Sequence, residues 1–323
     1  MIGTVGKERM HPRNRFRGGY DFPRLASRNA ELARLIRPNP YGDLSIDYAD
    51  PAAVKALNRA LLEDAYGLTN WDLPPGYLCP PVPGRSDYLH HLADLLAEGG
   101  RNAIPRGEKV KVLDVGTGAN CIYPLIGASE YGWRFVGTET DPAALRWAAK
   151  LVASNETTAR LVECRLQPST RECFRDVIRP GEAFDLSMCN PPFHASAAEA
   201  AAAAGRKRRN LGAGQTGTKG LNFGGRAGEL WCPGGELGFV RRMIEQSRGY
   251  AGQCRWFTTL VSRSAHLPRF QEILRDAGAA EVRIIEMGQG QKRSRILAWT
   301  FGGTGGDRLR VARASGKRGR SPG

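Results

Sequence analysis

The sequence predicts an α/β fold: a doubly wound, mainly parallel seven-stranded sheet with an antiparallel last strand, preceded by an N-terminal helical and irregular extension. Three observations carry this prediction. From residue 110 onward, short apolar runs of strand length alternate with amphipathic stretches of helical period, the pattern of a parallel sheet with crossover helices. The first such run, Val110–Val115, ends in the glycine turn Gly116-Thr117-Gly118-Ala119, which feeds directly into a helical pattern. The last two runs, Val282–Met287 and Arg295–Phe301, are joined by Gly288-Gln289-Gly290-Gln291, which reads as an antiparallel hairpin closing the sheet.

The elements follow in order. Residues 1 to about 50 are rich in Arg, Asn, Pro, Gly and Tyr and read as an irregular arm. Asp50-Pro51 is a helix start, with the aspartate as cap and the proline at the first helical position. That helix is predicted to reach Tyr66, with Val54, Leu57, Leu61 and Leu62 on one face. The prolines of Leu78-Cys79-Pro80-Pro81-Val82-Pro83-Gly84 predict an extended, non-helical segment. A second amphipathic helix carries Tyr88, Leu89, Leu92, Leu95 and Leu96, with Arg85 at its entrance. His90 and His91 lie about 100° apart on it, a poor metal pair, so packing or surface roles are expected.

Beyond the glycine turn, a helix is expected through Ile126, then a strand from Arg134 to Thr138 with Glu139 at its end. Asp141-Pro142 caps a helix to about Asn155. Further strands are expected near Arg160–Leu166, Phe184–Cys189 and Arg255–Val261. The organisation expected is an extension over 1–84, a main domain over 85–302 with an insert over 194–235, and a basic, disordered tail over 303–323.

The 323 residues are 41% hydrophobic, enough for one large core, and no apolar run approaches membrane-spanning length. The N-terminus lacks the apolar stretch of a signal peptide. Seven cysteines without a C-x-x-C pair argue against a zinc site and for reduced, mostly buried thiols in a cytoplasmic protein. Lysine and arginine number 47 against 32 acidic residues, a net charge of +15 that suggests a polyanionic partner, most simply nucleic acid.

Two motifs carry chemistry. Asp114-Val115-Gly116-Thr117-Gly118 ends the first strand and Glu139 ends the second. Glycines there let backbone approach a ligand, and an acid at the second strand's end suits ribose hydroxyls. Cys121 stands where a dinucleotide fingerprint needs its third glycine, which argues against NAD. A purely steric role, a tight strand–helix turn, is the alternative reading of these glycines. The second motif is Asn190-Pro191-Pro192-Phe193, just past the strand Phe184–Cys189. Two prolines stiffen the loop and remove N–H donors. The Asn190 amide oxygen and the Pro191 carbonyl can each accept one N–H of an exocyclic amine while Phe193 stacks on its ring. A proline-rich turn without chemistry is the bland alternative. Together the two motifs describe transfer of a methyl group from S-adenosylmethionine to a planar amine, a reaction that needs positioning more than acid–base groups. The terminal hairpin agrees, being the usual arrangement of class I methyltransferases.

Here the chain resembles a known family, the bacterial 23S rRNA adenine-N6 methyltransferases of the large-subunit methyltransferase F type and their eukaryotic methyltransferase-like 16 relatives. The resemblance rests on Asp114 to Pro124 and Met188 to His194. It extends to His11-Pro12-Arg13-Asn14, Asn70-Trp71-Asp72, Pro81-Val82-Pro83-Gly84-Arg85, Asn222-Phe223-Gly224-Gly225, Glu229-Leu230-Trp231 and Gln289-Gly290-Gln291-Lys292. It implies that Arg85, Gly116, Glu139, Thr170 and Asn190 contact the cofactor. It also implies that N6 of one adenine in 23S rRNA is the substrate. Asp114 and Gly118 join the cofactor set through the glycine-turn motif.

RNA contacts are expected from Arg13, Arg15 and Arg17, interleaved with Phe16 and Tyr20, and from Arg206, Lys207, Arg208 and Arg209 in the insert. A packed arm and a solvated charge run are the respective alternatives. No metal or membrane is expected, and the chain is expected to be a monomer. Two other functions fit parts of the pattern: methylation of a protein glutamine amide at N5, and non-enzymatic RNA binding in ribosome assembly.

Overall fold

The structure, a computed structural model, describes residues 10–98, 103–202, 227–289 and 292–302. Its centre is a sheet of seven strands: β3 (Lys111–Val115), β4 (Arg134–Glu139), β5 (Val162–Leu166), β6 (Phe184–Cys189), β7 (Cys254–Val261), β8 (Glu281–Gln289) and β9 (Lys292–Thr300). They lie in the order β5-β4-β3-β6-β7-β9-β8. Neighbours from β5 through β7 are parallel, and β9 is antiparallel to both β7 and β8. The chain steps outward from β3 to β5, then restarts at β6 on the other side. The strand order therefore reverses between β3 and β6, and open α/β sheets place ligands outside the carboxyl ends of strands at such a reversal.

Alternation along the strands gives each face its own core. Val112, Leu186, Met188, Trp256 and Ile296 face one helical layer, while Leu113, Val115, Phe257, Leu297 and Trp299 face the other. The first layer consists of α3 (Pro51–Tyr66), α4 (Val82–Glu98), α5 (Ile122–Tyr131), α6 (Pro142–Ala153) and α7 (Glu156–Leu161). The second includes α8 (Gly235–Ser247) and α9 (Leu267–Asp276), through Val240, Met243, Ile244, Phe270 and Leu274.

α3 starts where its cap signal places it: the Asp50 carboxylate accepts the Ala52 N–H, Pro51 occupies the first turn, and left-handed Gly67 ends it. Its buried Val54, Leu57, Leu61 and Leu62 lie in the same core as the sheet. Each such side chain contributes about 1.5–3 kcal/mol of burial. The N-terminal extension is thus packed into the main core.

Four local expectations need correction. Val82, Pro83 and Gly84 begin α4 instead of preceding it, because prolines in a first turn remove only donors that a helix leaves unpaired there. The boundary drawn at residue 84 therefore falls inside a helix. The arm is more regular than expected: α1 (Phe22–Arg28), α2 (Ala30–Leu35) and a hairpin of β1 (Ile36–Pro38) with β2 (Leu44–Ile46) precede α3. Residues 156–161 form α7 before β5 begins, and α5 continues past Ile126 to Tyr131. The tail over 303–323 lies outside the described residues. Among the described residues no helix is long and apolar enough to cross a membrane.

Candidate active site

A cleft of about 700 Å³ opens at the carboxyl ends of β3, β4 and β6, within the size range of small-molecule sites. Gly116 and Gly118 line it with φ of 77° and 65°, left-handed values that favour glycine. A Cβ added to Gly116 would meet nothing within 4 Å, so backbone is bared to the cleft there. The Gly116 and Thr117 amides donate to the Thr138 carbonyl, which pins the turn against β4. Cys121 adopts φ 47° and caps α5, taking the left-handed place of a glycine.

Glu139 stands in register at the end of β4, as the sequence requires for a ribose contact. Its carboxylate accepts the backbone N–H groups of Gly118 at 3.0 Å, Thr140 at 2.7 Å and Asp141 at 2.9 Å. These bonds fix the acid against the glycine turn and keep it at the cleft wall. Thr170 lines the cleft from the loop after β5, next to Gln167, whose amide donates to the Glu139 carbonyl.

Asp114 does not line the cleft. It is fully buried on β3 near Arg85, Thr117 and Glu139, and neither carboxylate oxygen has a hydrogen-bond partner. Burial pushes its carboxyl up to about 7, against the lowering pull of Thr117 and Arg85. Arg85 does reach the cleft. Its guanidinium donates to the Tyr123 hydroxyl at 2.7 Å, and its buried Nε has no hydrogen-bond partner. An unpaired buried donor costs about 1–3 kcal/mol, so this atom could hold an anionic group in the cleft.

Asn190 follows β6 and stands between two cavities. It lines the large cleft and also a smaller one of about 130 Å³, where Phe193, Leu260, Ser262 and Met287 form other walls. Its side-chain oxygen Oδ1 is buried and without a hydrogen-bond partner. Pro192 faces the large cleft, Phe193 faces the small one, and Pro191 is buried. The loop is held from behind. His194 donates to the Leu230 carbonyl and accepts from the Cys232 amide, forming a parallel bridge with Trp231. Glu199 accepts the Ala195 amide and pairs with Arg263.

The arm's basic residues are engaged internally. Arg13 donates to Asp94 at 2.6 Å, to the His90 carbonyl and to the Tyr131 hydroxyl. Arg15 pairs with Glu130 at 2.8 Å and lies over the Tyr66 ring. Arg17 is exposed. The Asn14 amide donates to Asp87 and to the Pro83 carbonyl, and the His11 amide also donates to Asp87. Burial raises the Asp87 carboxyl, but bonds from His91, Asn14 and the His11 amide together hold it below the usual carboxylate range. Asp87 borders the small cavity, so the packed arm buttresses its wall. Arg206, Lys207, Arg208 and Arg209 lie outside the described residues.

Comparison with known proteins decides what this arrangement belongs to. A family described as RNA methyltransferase matches residues 4–303. This chain belongs to that RNA methyltransferase family. Ribosomal RNA large subunit methyltransferase F of Pseudomonas aeruginosa strain LESB58 is 55% identical over 294 residues, covering 90% of this chain and 88% of the relative. The enzyme of the same name from Serratia proteamaculans is 53% identical over 296 residues, 91% of this chain and 88% of the relative. The human METTL16 catalytic domain, solved in complex with MAT2A 3'UTR hairpin 1, superimposes with a TM-score of 0.77 at 33% identity, covering 91% of this chain and 96% of that one. The N-terminal domain of human METTL16 in complex with SAH gives 0.71 at 31% identity, covering 91% of this chain and 99% of that one. The class I methyltransferase fold is thus shared across the family.

Within this methyltransferase several wall residues carry no role in the sequence motifs. Tyr77, Gln167, Glu229, Phe239 and Arg242 line the large cleft. Glu229 belongs to the block Glu229-Leu230-Trp231 that carries the family resemblance, which gave it no role in the site, and Tyr77 belongs to no motif. Only the fold brings them to the glycine turn.

Proposed function

We propose that this RNA methyltransferase transfers the methyl group of S-adenosyl-L-methionine to the exocyclic N6 of one adenine in 23S rRNA, in the cytoplasm and as a monomer. The observation that carries the reading is Asn190, whose buried, partnerless Oδ1 stands at the junction of the two cavities. Bound S-adenosylmethionine supplies an electrophilic methyl on its sulfonium. The chain's residues do the rest. Gly116, Gly118 and Glu139 receive the nucleoside end, and Arg85 receives the methionine carboxylate. Phe193 stacks on the target base in the small cavity. In this reading Asn190 Oδ1 accepts one N–H of the amine and the Pro191 carbonyl accepts the other. Holding both hydrogens to one side turns the nitrogen lone pair toward the methyl, which is catalysis by orientation.

Large-subunit ribosomal RNA as the target is supported by the names of the relatives at 53–55% identity and by the RNA hairpin in the METTL16 complex. A net charge of +15 agrees with a polyanionic partner. The exposed Arg15 and Arg17, with Arg13 beside them, and the insert cations Arg206, Lys207, Arg208 and Arg209 are the proposed phosphate contacts. Mapping N6-methyladenine in rRNA from cells lacking the protein tests the reading. One adenine of the large subunit is expected to lose its methyl group. Full rRNA methylation with loss of a glutamine methyl on a ribosomal or release-factor protein would favour the protein substrate instead.

A further inference from the structure

The methionine end of S-adenosylmethionine carries an ammonium beside its carboxylate. Four carboxylates on the cleft wall could answer it: Glu139, Asp141, Glu172 and Glu229. Glu139 is held by three backbone N–H groups at the second strand's end, where the ribose is expected. Asp141 caps α6 through the Ala143 amide and accepts the Tyr77 hydroxyl. Glu172 lies on the loop after β5, toward Arg175. Asp114 is fully buried and does not line the wall.

Glu229 is differently placed. Its Oε2 accepts the Leu78 amide at 3.1 Å, and its Oε1 lies 3.3 Å from the point that a Cβ on Gly118 would occupy. The carboxylate is therefore packed on the glycine turn itself, beside Asn120, whose amide reaches the Leu78 carbonyl. Two fold features bring it there. The short helical turn Ala227–Leu230 carries residue 229, and the parallel bridge between Trp231 and His194 that follows it ties this segment to the catalytic loop. Gly118 leaves the space that the carboxylate fills.

We propose that Glu229 is a cofactor-contacting residue, receiving the α-ammonium of the methionine moiety. Arg85 takes the carboxylate and Glu229 the ammonium, a pair of opposite charges that matches the zwitterion and sets its direction along the cleft. This rests on the cofactor reading above and adds a contact to it.

Calorimetric titration with S-adenosylhomocysteine and with its deaminated analogue, which lacks only the α-amino group, tests the contact without reference to turnover. The wild-type protein is expected to bind the deaminated compound about 10- to 100-fold more weakly, the range of a charge-assisted hydrogen bond. In Glu229→Gln that ratio should fall to within about threefold. Glu229→Asp, which keeps the charge on a shorter arm, should retain a larger ratio than Glu229→Gln. Thermal unfolding of each variant shows whether it is folded. Should the Gln variant not fold, the ratio in Glu229→Asp and in the wild type carries the test. A wild-type ratio near one, or an undiminished ratio in Glu229→Gln, overturns the proposal. Failure of the wild type to bind either compound would overturn the cofactor reading itself, a different outcome from unselective binding.

Discussion

At the scale of single residues, the site is built from atoms that the protein leaves unsatisfied or bare. Arg85 Nε and Asn190 Oδ1 are buried without hydrogen bonds, and Gly116 exposes backbone. Glu139 is the opposite, an acid fully anchored by amides yet still at the wall. Its replacement tests the ribose contact. Glu139→Ala is expected to weaken S-adenosylmethionine binding by roughly 1.5–3 kcal/mol in a calorimetric titration. Its thermal unfolding temperature should fall as well, because three backbone N–H groups lose their acceptor, so the titration is read on the folded variant. Unchanged affinity would place the ribose elsewhere. Asn190, Glu139 and the two glycines were legible in the sequence because each sits at the end of an apolar strand, where position implies direction. Glu229 was not, because its place depends on the bridge between His194 and Trp231 across the insert. Such a pairing leaves no local pattern.

At the scale of elements, the arm and α4 form one buried polar unit. His90 is fully buried, its ring bonded to the Tyr131 hydroxyl at 2.6 Å and to Ser86 at 3.1 Å, with His11 stacked on it. Burial, helped by the charges of His11 and Arg13, pulls His90 down to about 3, and burial also lowers His11. The folded state thus resists protons that the unfolded chain binds from about pH 6.5 downward. Stability is complete above that pH and is lost as pH falls toward 3, at up to about 1.36 kcal/mol per unit for His90 alone. Urea unfolding at pH 7 and pH 5 should show a marked loss in the wild type and a smaller one in His90→Gln. Equal losses would mean that His90 does not carry the acid sensitivity. Sequence reading placed α3 correctly because Asp50-Pro51 is a complete cap signal. It missed the start of α4 because prolines in a first turn look the same as prolines in an extended segment. The β1–β2 hairpin escaped it because three-residue strands are too short to show alternation.

At the scale of the whole molecule, the sheet's reversal point, the cleft and the positive charge combine into one machine. The electrostatic part is separable. Replacing Arg206, Lys207, Arg208 and Arg209 with alanine should flatten the salt dependence of rRNA-fragment binding, by up to roughly 0.7–0.9 in log–log slope for each phosphate no longer neutralised. Cofactor affinity should stay constant, and an unaltered slope would remove these four residues from the RNA site. The architecture was legible as a whole, since strand–helix alternation and the terminal hairpin are properties of pattern. The central claim is that Asn190 orients an adenine amine of large-subunit rRNA toward the cofactor's methyl group. The most direct test is methyl transfer from labelled S-adenosylmethionine to unmethylated 23S rRNA by the wild type and by Asn190→Ala, with the product mapped. N6-methyladenine at one position is expected with the wild type. In the variant, turnover should be lower by at least about a hundredfold, with cofactor affinity held within roughly tenfold. Near-normal turnover in Asn190→Ala, or methylation at an atom other than adenine N6, would contradict it.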